Sequence, residues 1–239
     1  DTCVLTYLED DGQSIEPEVF LPVIPTVLVN GCNGIGMGWS TTVPPFNPLE
    51  LAKTVRCLLL AMGGGGTGTL GAPLSPPSFL PKLTPWYRGF QGTVGPCSPV
   101  KTGCYSIEGK VTYLGDSKYR ISELPVGSWT NEYKAFLEKL VLTNTLRGFK
   151  ELHLLDSVDF EVRFADPDAE TRFLGSDEAQ WVVRLKLVSR VSTNNMILFD
   201  SQNKLKKYTT PEEIVQDYIP VRLAGYTRRR ELDMARITT

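Results

Sequence analysis

The sequence is poor in the residues that build metal sites and disulfide frameworks. It contains one histidine, His153, in 239 residues, and its cysteines are an odd number without paired CxxC spacing. These counts argue against a zinc site and against a disulfide framework. We therefore expect free thiols in a reducing compartment at the five cysteine positions, Cys3, Cys32, Cys57, Cys97 and Cys104.

Long apolar runs and a strong charge of one sign are also missing. No apolar run approaches the ~20 residues that a membrane helix needs, so we expect no membrane partner. The 25 Lys and Arg residues nearly balance 27 Asp and Glu residues, so any surface for a polyanion would have to be local. The chain begins with Asp1 and its last residues have a helical pattern, so we expect a piece of a longer protein.

No catalytic constellation can be assembled from the sequence. His153 lies among leucines without a nearby Ser or Cys nucleophile. The paired carboxylates Glu212-Glu213 stand at a helix start, and Asp166 and Asp168 lie in a polar connection. Acidic residues are common in both places, so these carboxylates can be explained without a catalytic role. We predict no catalytic residue and no metal ligand in this chain.

The pattern of apolar and breaker residues predicts an α+β fold. Helices are expected at Pro48–Met62 with Asn47 as a cap, at Thr130–Leu142 with Ser128 or Thr130 as a cap, and from Thr209 onward. Pro220 is expected to kink or restart the last helix before Arg222–Ile237. Residues 63–81, rich in Gly, Pro, Ser and Thr, are expected to be a flexible surface insertion.

Short segments with β-branched or aromatic residues predict antiparallel strands. Leu21–Asn30 contains two prolines, which favour an edge strand or an extended segment, and Asp166–Gly175 is expected to be a polar connection. The remaining strands are expected at Gly89–Val94, Cys104–Ile107, Lys110–Leu114, Tyr119–Ser122, Val158–Phe164 and Trp181–Val191.

The most informative local motif is the glycine cluster in Asn30–Thr42. It has four glycines within eight residues, which would let a phosphate or a base step approach the backbone. A tight structural turn explains it equally well. A nucleotide-binding turn of the short-chain dehydrogenase kind is disfavoured, because Gly38, Pro44 and Pro45 stand where a helix should begin and no Tyr-x-x-x-Lys pair follows.

Four segments, in order, resemble eukaryotic-type type IIA DNA topoisomerases. They are Glu16–Thr41, Pro85–Thr93, Ile121–Lys134 and Thr193–Asp200. The resemblance implies a mixed or antiparallel sheet "tower" domain with flanking helices. Its domains would be the end of a winged-helix domain (1–25), the DNA-bending tower (26–208) with the insertion 63–81, and the start of a coiled-coil helix toward the C-terminal gate (209–239).

The resemblance also implies the activity of a parent enzyme. That enzyme would pass one duplex through a transient double-strand break, using ATP and Mg²⁺, as a homodimer acting on double-stranded DNA. The catalytic tyrosine, the metal-binding domain and the ATPase domain would lie outside this chain, which alone should be inactive and bind no cofactor. The expected location is the nucleus, or an organelle such as the mitochondrion. The alternative is a stand-alone DNA-binding module of topoisomerase-like fold without catalysis.

The resemblance places DNA contacts at particular residues of this sequence. Ile35, in the Gly-Ile-Gly turn, corresponds to the isoleucine that inserts between base pairs as a wedge. Lys204, Lys206 and Lys207 form a more weakly supported basic cluster, and Gly127 stands where relatives often have a basic residue. Strand alternation would put Lys186, Arg190 and Asn194 on one face. The other expected DNA contacts are Trp129 and residues of the segment 186–195: Lys186, Ser189, Arg190, Thr193, Asn194 and Asn195.

Overall fold

The structure is a computed structural model that describes residues 2–62, 81–97, 101–175 and 177–238. The predicted insertion 63–81 lies outside the described residues except for Pro81. The chain forms two compact units, one made of Asp1–Trp86 and Thr193–Thr239 and the other of Tyr87–Ser192. The winged-helix, tower and gate assignments stay predictions.

The chain combines six helices with short strands that pair only antiparallel in the described residues, which is typical of an α+β fold. The helices are α1 (Thr26–Asn30), α2 (Pro48–Ala61), α3 (Thr130–Leu142), α4 (Pro167–Leu174), α5 (Glu178–Arg184) and α6 (Pro211–Thr238). The strands are β1 (Tyr7–Asp10), β2 (Gln13–Pro17), β3 (Cys32–Gly36), β4 (Trp39–Val43), β5 (Thr93–Pro96), β6 (Cys104–Glu108), β7 (Lys110–Gly115), β8 (Lys118–Glu123), β9 (Leu146–Glu151), β10 (Phe160–Phe164), β11 (Val188–Ser192), β12 (Met196–Phe199) and β13 (Leu205–Tyr208).

The first unit contains three two-stranded antiparallel sheets, β1-β2, β3-β4 and β12-β13. Its core joins apolar residues of α1, α2 and α6 to residues of β4, β12 and β13. Met196 and Tyr208, which are register partners in β12 and β13, belong to that core together with Leu28 of α1. Residues from the beginning of the chain and from its last fifth therefore pack in one hydrophobic core.

The second unit is built on two antiparallel sheets. One has the strand order β7-β8-β10-β9 and the other the order β11-β6-β5. Helix α3 covers the core with Tyr133 and Leu137, and the Tyr133 hydroxyl donates to the carbonyl oxygen of Leu185 at 2.9 Å. This buried hydroxyl is thus satisfied, as burial of a polar group requires.

Several predicted elements are confirmed, with small differences at their ends. Helix α2 begins after Asn47, whose side chain accepts from the Leu49 amide at 2.9 Å. Helix α3 has its predicted bounds, but the N-cap residue is Trp129 and no side chain caps it, so the prediction of Ser128 or Thr130 was wrong. The first strand of the second unit lies at β5, later than predicted.

Three predicted segments are helical where a strand or loop was expected. Part of Leu21–Asn30 forms α1, and Asp166–Gly175 contains α4, which Asp166 caps by accepting from the Ala169 amide at 2.6 Å. Trp181–Val191 is divided between α5 and β11. The apolar residues Trp181, Val182 and Leu185 have helical spacing and pack on the core, which favours the helix.

Helix α6 begins as predicted but is not interrupted. Thr209 donates through its amide to the Glu213 carboxylate at 2.9 Å, and Thr210 accepts from the Glu213 amide at 3.4 Å. Pro220 lies inside the 28-residue helix, so the expected restart is wrong. The side chains around it hold the N-terminal segment, since Tyr218 donates to Pro22 and Arg222 donates to the Leu21 carbonyl at 2.7 Å.

Two cysteines are paired, against the expectation of free thiols throughout. Cys97 and Cys104 form a disulfide across the β5-β6 connection, with Cα atoms 5.6 Å apart. The antiparallel pairing of β5 and β6 brings the two residues opposite each other, which spacing along the sequence did not reveal. Cys3, Cys32 and Cys57 are free.

Candidate nucleic-acid interface

The glycine cluster forms a β-hairpin with an apolar tip. Strands β3 and β4 are antiparallel, with Ile35 opposite Ser40 and Gly36 opposite Trp39. Met37 and Gly38 make the connection, and Gly38 has a φ of +83°, a conformation that favours glycine. The side chain of Ile35 is 93% exposed and that of Met37 is 100% exposed. The hairpin therefore presents two large apolar side chains to solvent.

The base of the hairpin fits only because one residue is glycine. Gly31 connects α1 to β3 with a φ of +73°, and a Cβ atom there would lie 2.9 Å from the Val43 carbonyl oxygen. A side chain at this position would push the two strands apart. The backbone conformation that connects helix α1 to the hairpin is therefore restricted to glycine at this position.

The hairpin is attached to the chain segment that leads into β12. The Thr42 amide donates to the Asn195 carbonyl oxygen at 2.8 Å, and the Ile197 amide donates to Thr41 Oγ1 at 3.1 Å. The side-chain amide of Asn195 donates to both the carbonyl oxygen and Oγ of Ser40, each at 3.1 Å. Strand β4 is therefore fixed to a segment more than 150 residues away in sequence.

Trp39 packs between the hairpin and β12. A Cβ atom on Gly36 would lie 2.5 Å from Trp39 Cε2, so the indole ring lies directly on the Gly36 backbone. On β12, Phe199 meets Trp39 edge to face with ring centroids 5.8 Å apart. Aromatic pairs of this geometry add to the stabilisation that burial alone gives.

In the second unit, Trp129 is exposed at the N-terminus of α3. Its side chain is 72% exposed, and the preceding turn closes through the Ser128 amide, which donates to the Pro125 carbonyl oxygen at 3.0 Å. Gly127 has a φ of +88° in this turn, a conformation that favours glycine. An indole N–H in such a position can donate to a phosphate.

The predicted face of Lys186, Arg190 and Asn194 is wrong, because the strand is shorter than expected. Lys186 precedes β11 with a φ of +54°, and its Nζ lies 4.5 Å from the centroid of the Phe136 ring. The Leu187 amide donates to the Val182 carbonyl oxygen at 2.7 Å, closing α5 by a turn that forces this conformation. Arg190 is exposed in β11, and Asn194 follows the end of the strand.

The other predicted contacts have different surroundings. Ser189 donates to the Val126 carbonyl oxygen at 3.1 Å, which connects β11 to the turn before Trp129. Thr193 is 3% exposed, Asn194 is exposed, and Asn195 holds the hairpin as described. Ser189 and Asn195 thus support the two exposed aromatic and apolar side chains of their own units.

The basic cluster on β13 is partly neutralised. Lys206 Nζ lies 2.5 Å from Asp217 Oδ2 and 5.0 Å from the Tyr208 ring centroid. In the preceding turn, the Lys204 and Gln202 amides donate to the Asp200 carboxylate at 2.9 and 2.8 Å. The hydrogen bonds from the Lys204 and Gln202 amides lower the pKa of Asp200 below its ordinary value.

The sequence analysis singled out Ile35, whose role stays a prediction, and did not single out Met37 or Trp39. The signal for Met37 was an apolar residue between two glycines in a two-residue connection. The signal for Trp39 was an aromatic residue directly opposite a glycine. Neither residue could be predicted from these signals without knowing which residues pair across the hairpin.

Neither a metal cluster nor a membrane helix is found in the described part of the chain. No three His, Cys, Asp or Glu side chains of the described residues gather as potential metal ligands. Among the same residues, no helix combines the length and the apolar character needed to cross a bilayer.

Comparisons with known proteins agree on one family. The family model for the A-type subunit of DNA gyrase/topoisomerase IV matches residues 1–239. DNA topoisomerase 2 of Arabidopsis thaliana is 37% identical over 235 residues, covering 97% of this chain and 15% of the relative. DNA topoisomerase 2 of Saccharomyces cerevisiae is 34% identical over 237 residues, with the same coverage of 97% and 15%.

A solved structure supports the same assignment. It is the crystal structure of the DNA-binding, cleavage and re-ligation domain of Plasmodium falciparum topoisomerase II, with a TM-score of 0.83 and 30% identity over 99% of this chain and 30% of that one. The chain thus spans about a seventh of the length of its curated relatives. On the match of the family model along its whole length, the chain belongs to the family of the DNA gyrase/topoisomerase IV A-type subunits.

Proposed function

We propose that this chain is the DNA-bending part of an ATP-dependent type II DNA topoisomerase, which changes DNA topology by passing one duplex through a transient double-strand break. The observation that carries the proposal is the Ile35 hairpin. An isoleucine that is 93% exposed at the end of a hairpin leaves a large apolar side chain unburied, and membership of this family makes a base-pair step its natural environment.

The geometry suits a wedge. Inserting an apolar side chain into a base step costs a few kcal/mol of unstacking, which the additional surface touched by a bent duplex offsets. Gly34, next to the wedge, has no atoms within 4 Å of where a Cβ would lie. The backbone on that side of Ile35 is therefore open to a close approach by DNA.

Contacts with phosphates would supply most of the affinity. Within the second unit, Arg190 and Trp129 both have exposed donors, and Ser189 joins their two segments through Val126. Side chains that reach phosphates position a duplex without reading its sequence. We assign Ile35 to bending and Arg190 and Trp129 to this sequence-independent binding.

The rest of the reaction belongs to the parent protein. We propose a homodimeric parent that requires ATP and Mg²⁺ and acts in the nucleus, with an organellar genome as the alternative. The described residues offer no group of three acidic or other ligating side chains, so Mg²⁺ would be held by other parts of the parent, and no step of its chemistry is assigned to this chain.

The test is an Ile35→Ala substitution in the full-length protein. The bend angle of a short duplex, measured by energy transfer between its labelled ends, should decrease strongly. The affinity for the duplex should change little, because the phosphate contacts remain. A Leu155→Ala variant is the control, since Leu155 is also exposed but lies in the turn after β9. An unchanged bend angle in Ile35→Ala would mean that Ile35 is not the wedge.

A further inference from the structure

We propose that Trp39 and Asn195 are positioning residues that fix the direction of the Ile35 hairpin, so that the wedge is already rigid when it meets a duplex. The proposal rests on the proposed function, because the support matters only if Ile35 acts as a wedge. It also gives Asn195 a different role from the one expected from the sequence, where this side chain was assigned to DNA contact.

The hairpin needs support from outside itself. Two five-residue strands make at best a marginally stable hairpin in water. A side chain pushed into a base step meets resistance, because the stack must be opened. If the hairpin could pivot at its base near Gly31, Ile35 would swing aside and the step would stay closed.

Asn195 holds the residue that faces the wedge. Ser40 is the register partner of Ile35, and the Asn195 side chain donates to the Ser40 carbonyl oxygen and to its Oγ, each at 3.1 Å. A side-chain amide nitrogen carries two N–H donors, which is enough for both bonds. The Asn195 carbonyl oxygen also accepts from the Thr42 amide at 2.8 Å. Asn195 is therefore hydrogen-bonded to β4 at two residues, Ser40 and Thr42.

Trp39 fills the space between the hairpin and β12. Its ring lies on the Gly36 backbone, where an added Cβ would be only 2.5 Å away, and its other side meets Phe199 edge to face. Gly36 is the residue that follows Ile35, so the packing acts next to the wedge. Asn195 acts through hydrogen bonds to Ser40 and Trp39 through packing on Gly36 and Phe199, so the two supports differ in kind.

The first experiment compares bending with binding in the full-length protein. Trp39→Ala and Asn195→Ala should each lose most of the bend that Ile35→Ala loses, with affinity for the duplex changed by less than about threefold, because phosphate contacts dominate affinity. Trp39→Phe should recover the bend, since it keeps an aromatic ring against Phe199.

The second experiment needs no DNA. Gly36→Ala keeps both supporting residues in the sequence, but its Cβ would push the Trp39 ring off the Gly36 backbone, so amide exchange in β4 should become faster. Gly34→Ala is the matched control in the same strand, because its added Cβ has no neighbour within 4 Å. Exchange in β4 should stay at the wild-type rate in this control.

The possible outcomes separate the two ideas. If Ile35→Ala loses the bend while Trp39→Ala and Asn195→Ala keep it, the positioning role is wrong and the wedge stands. If Ile35→Ala keeps the bend, the proposed function itself fails. If the support variants lose affinity, bend and melting temperature together, their role is only structural and the positioning proposal is overturned.

Discussion

Arg120 of β8 and Asp159, just before β10, form a bidentate ion pair on the four-stranded sheet. Arg120 Nε lies 3.0 and 3.1 Å from the two carboxylate oxygens of Asp159, and Nη2 lies 2.5 Å from Oδ2. The Asp159 side chain is 11% exposed. A guanidinium that binds both oxygens of a mostly buried carboxylate fixes its position as well as its charge.

Removing the guanidinium should destabilise the second unit. Arg120→Met keeps an apolar stem but leaves the Asp159 carboxylate without its main partner, so we expect the melting temperature to fall by roughly 2–6 °C. Lys150→Met is the control, because its pair with Glu161 spans 3.7 Å and Lys150 is mostly exposed, an arrangement that stabilises little. Equal melting temperatures for the two variants would show that the Arg120 pair contributes no more than a surface pair.

The turn between β12 and β13 should weaken in acid. The pKa of Asp200 is lowered from 3.8, because the charged form accepts amide hydrogen bonds from Lys204 and Gln202. A carboxyl whose pKa is lower in the folded state stabilises above its unfolded pKa, and that stabilisation disappears as pH falls through the folded pKa. The contribution is therefore complete at neutral pH and is lost below the ordinary pKa of aspartate.

The measurement is the amide chemical shift of Gln202 and Lys204 as a function of pH. Both should titrate with a midpoint below 3.8, the ordinary value. In Asp200→Asn the same amides should show no transition, because the titrating group is gone. A midpoint at or above the ordinary value would contradict the hydrogen-bonded turn as the cause.

Arg190 should contribute to DNA affinity through a phosphate and without sequence preference. Arg190→Ala in the full-length protein should weaken binding equally for different sequences and flatten the plot of log affinity against log salt by about 0.9. Lys186→Ala tests the other cation that is expected to contact DNA. The double variant should flatten the plot by about 2 if both side chains meet phosphates.

The position of Lys186 makes this comparison informative. Its Nζ already lies over the Phe136 ring, 4.5 Å from the centroid, whereas Arg190 is exposed in β11. If only Arg190→Ala changes the slope, Arg190 contacts a phosphate, and Lys186 contributes to the packing of the fold instead. A wild-type slope in both single variants and in the double variant would remove this strand from the DNA-binding surface.

The isolated chain should neither relax nor cleave DNA. With Mg²⁺ and ATP, supercoiled plasmid should stay supercoiled, because the nucleophile, the metal carboxylates and the ATPase are expected elsewhere in the parent. The full-length parent is the positive control in the same buffer. Relaxation that persists after removal of contaminating enzyme would contradict the assignment of this chain to the bending part alone.

Local signals in the sequence predicted the fold well where the physics is local. Asn47 followed by Pro48 predicted the start of α2, and Thr210 with Glu213 predicted the start of α6, because a cap depends on residues within one turn. The misread segment Trp181–Val191 shows the limit. Its apolar residues fit a strand or a helix, and packing against the core together with the closing turn at Lys186 decided between them.

The glycine cluster predicted a turn, but the contacts that hold this turn could not be predicted. The family resemblance singled out Ile35, whereas the partners of its hairpin, Asn195 and Phe199, come from a segment far away in sequence. No local pattern links Asn195 to Ser40, since their contact depends on how β12 docks against β4. Cys97 and Cys104 escaped prediction for a different reason, since they are only seven residues apart and the register of β5 and β6 places them together.

Helix α6 has a packed first half and an exposed second half. Ile214, Val215 and Ile219 are anchored in the core of the first unit, and Arg222 and Gly225, which follow Pro220, are still buried. From Tyr226 onward nearly every residue is exposed. The stretch from Gly225 to Thr238 extends ~20 Å at the rise of an α-helix, so a change of about 10° in the direction of the packed half would carry the far end ~3 Å. A small movement of the packed half would thus be amplified along the helix.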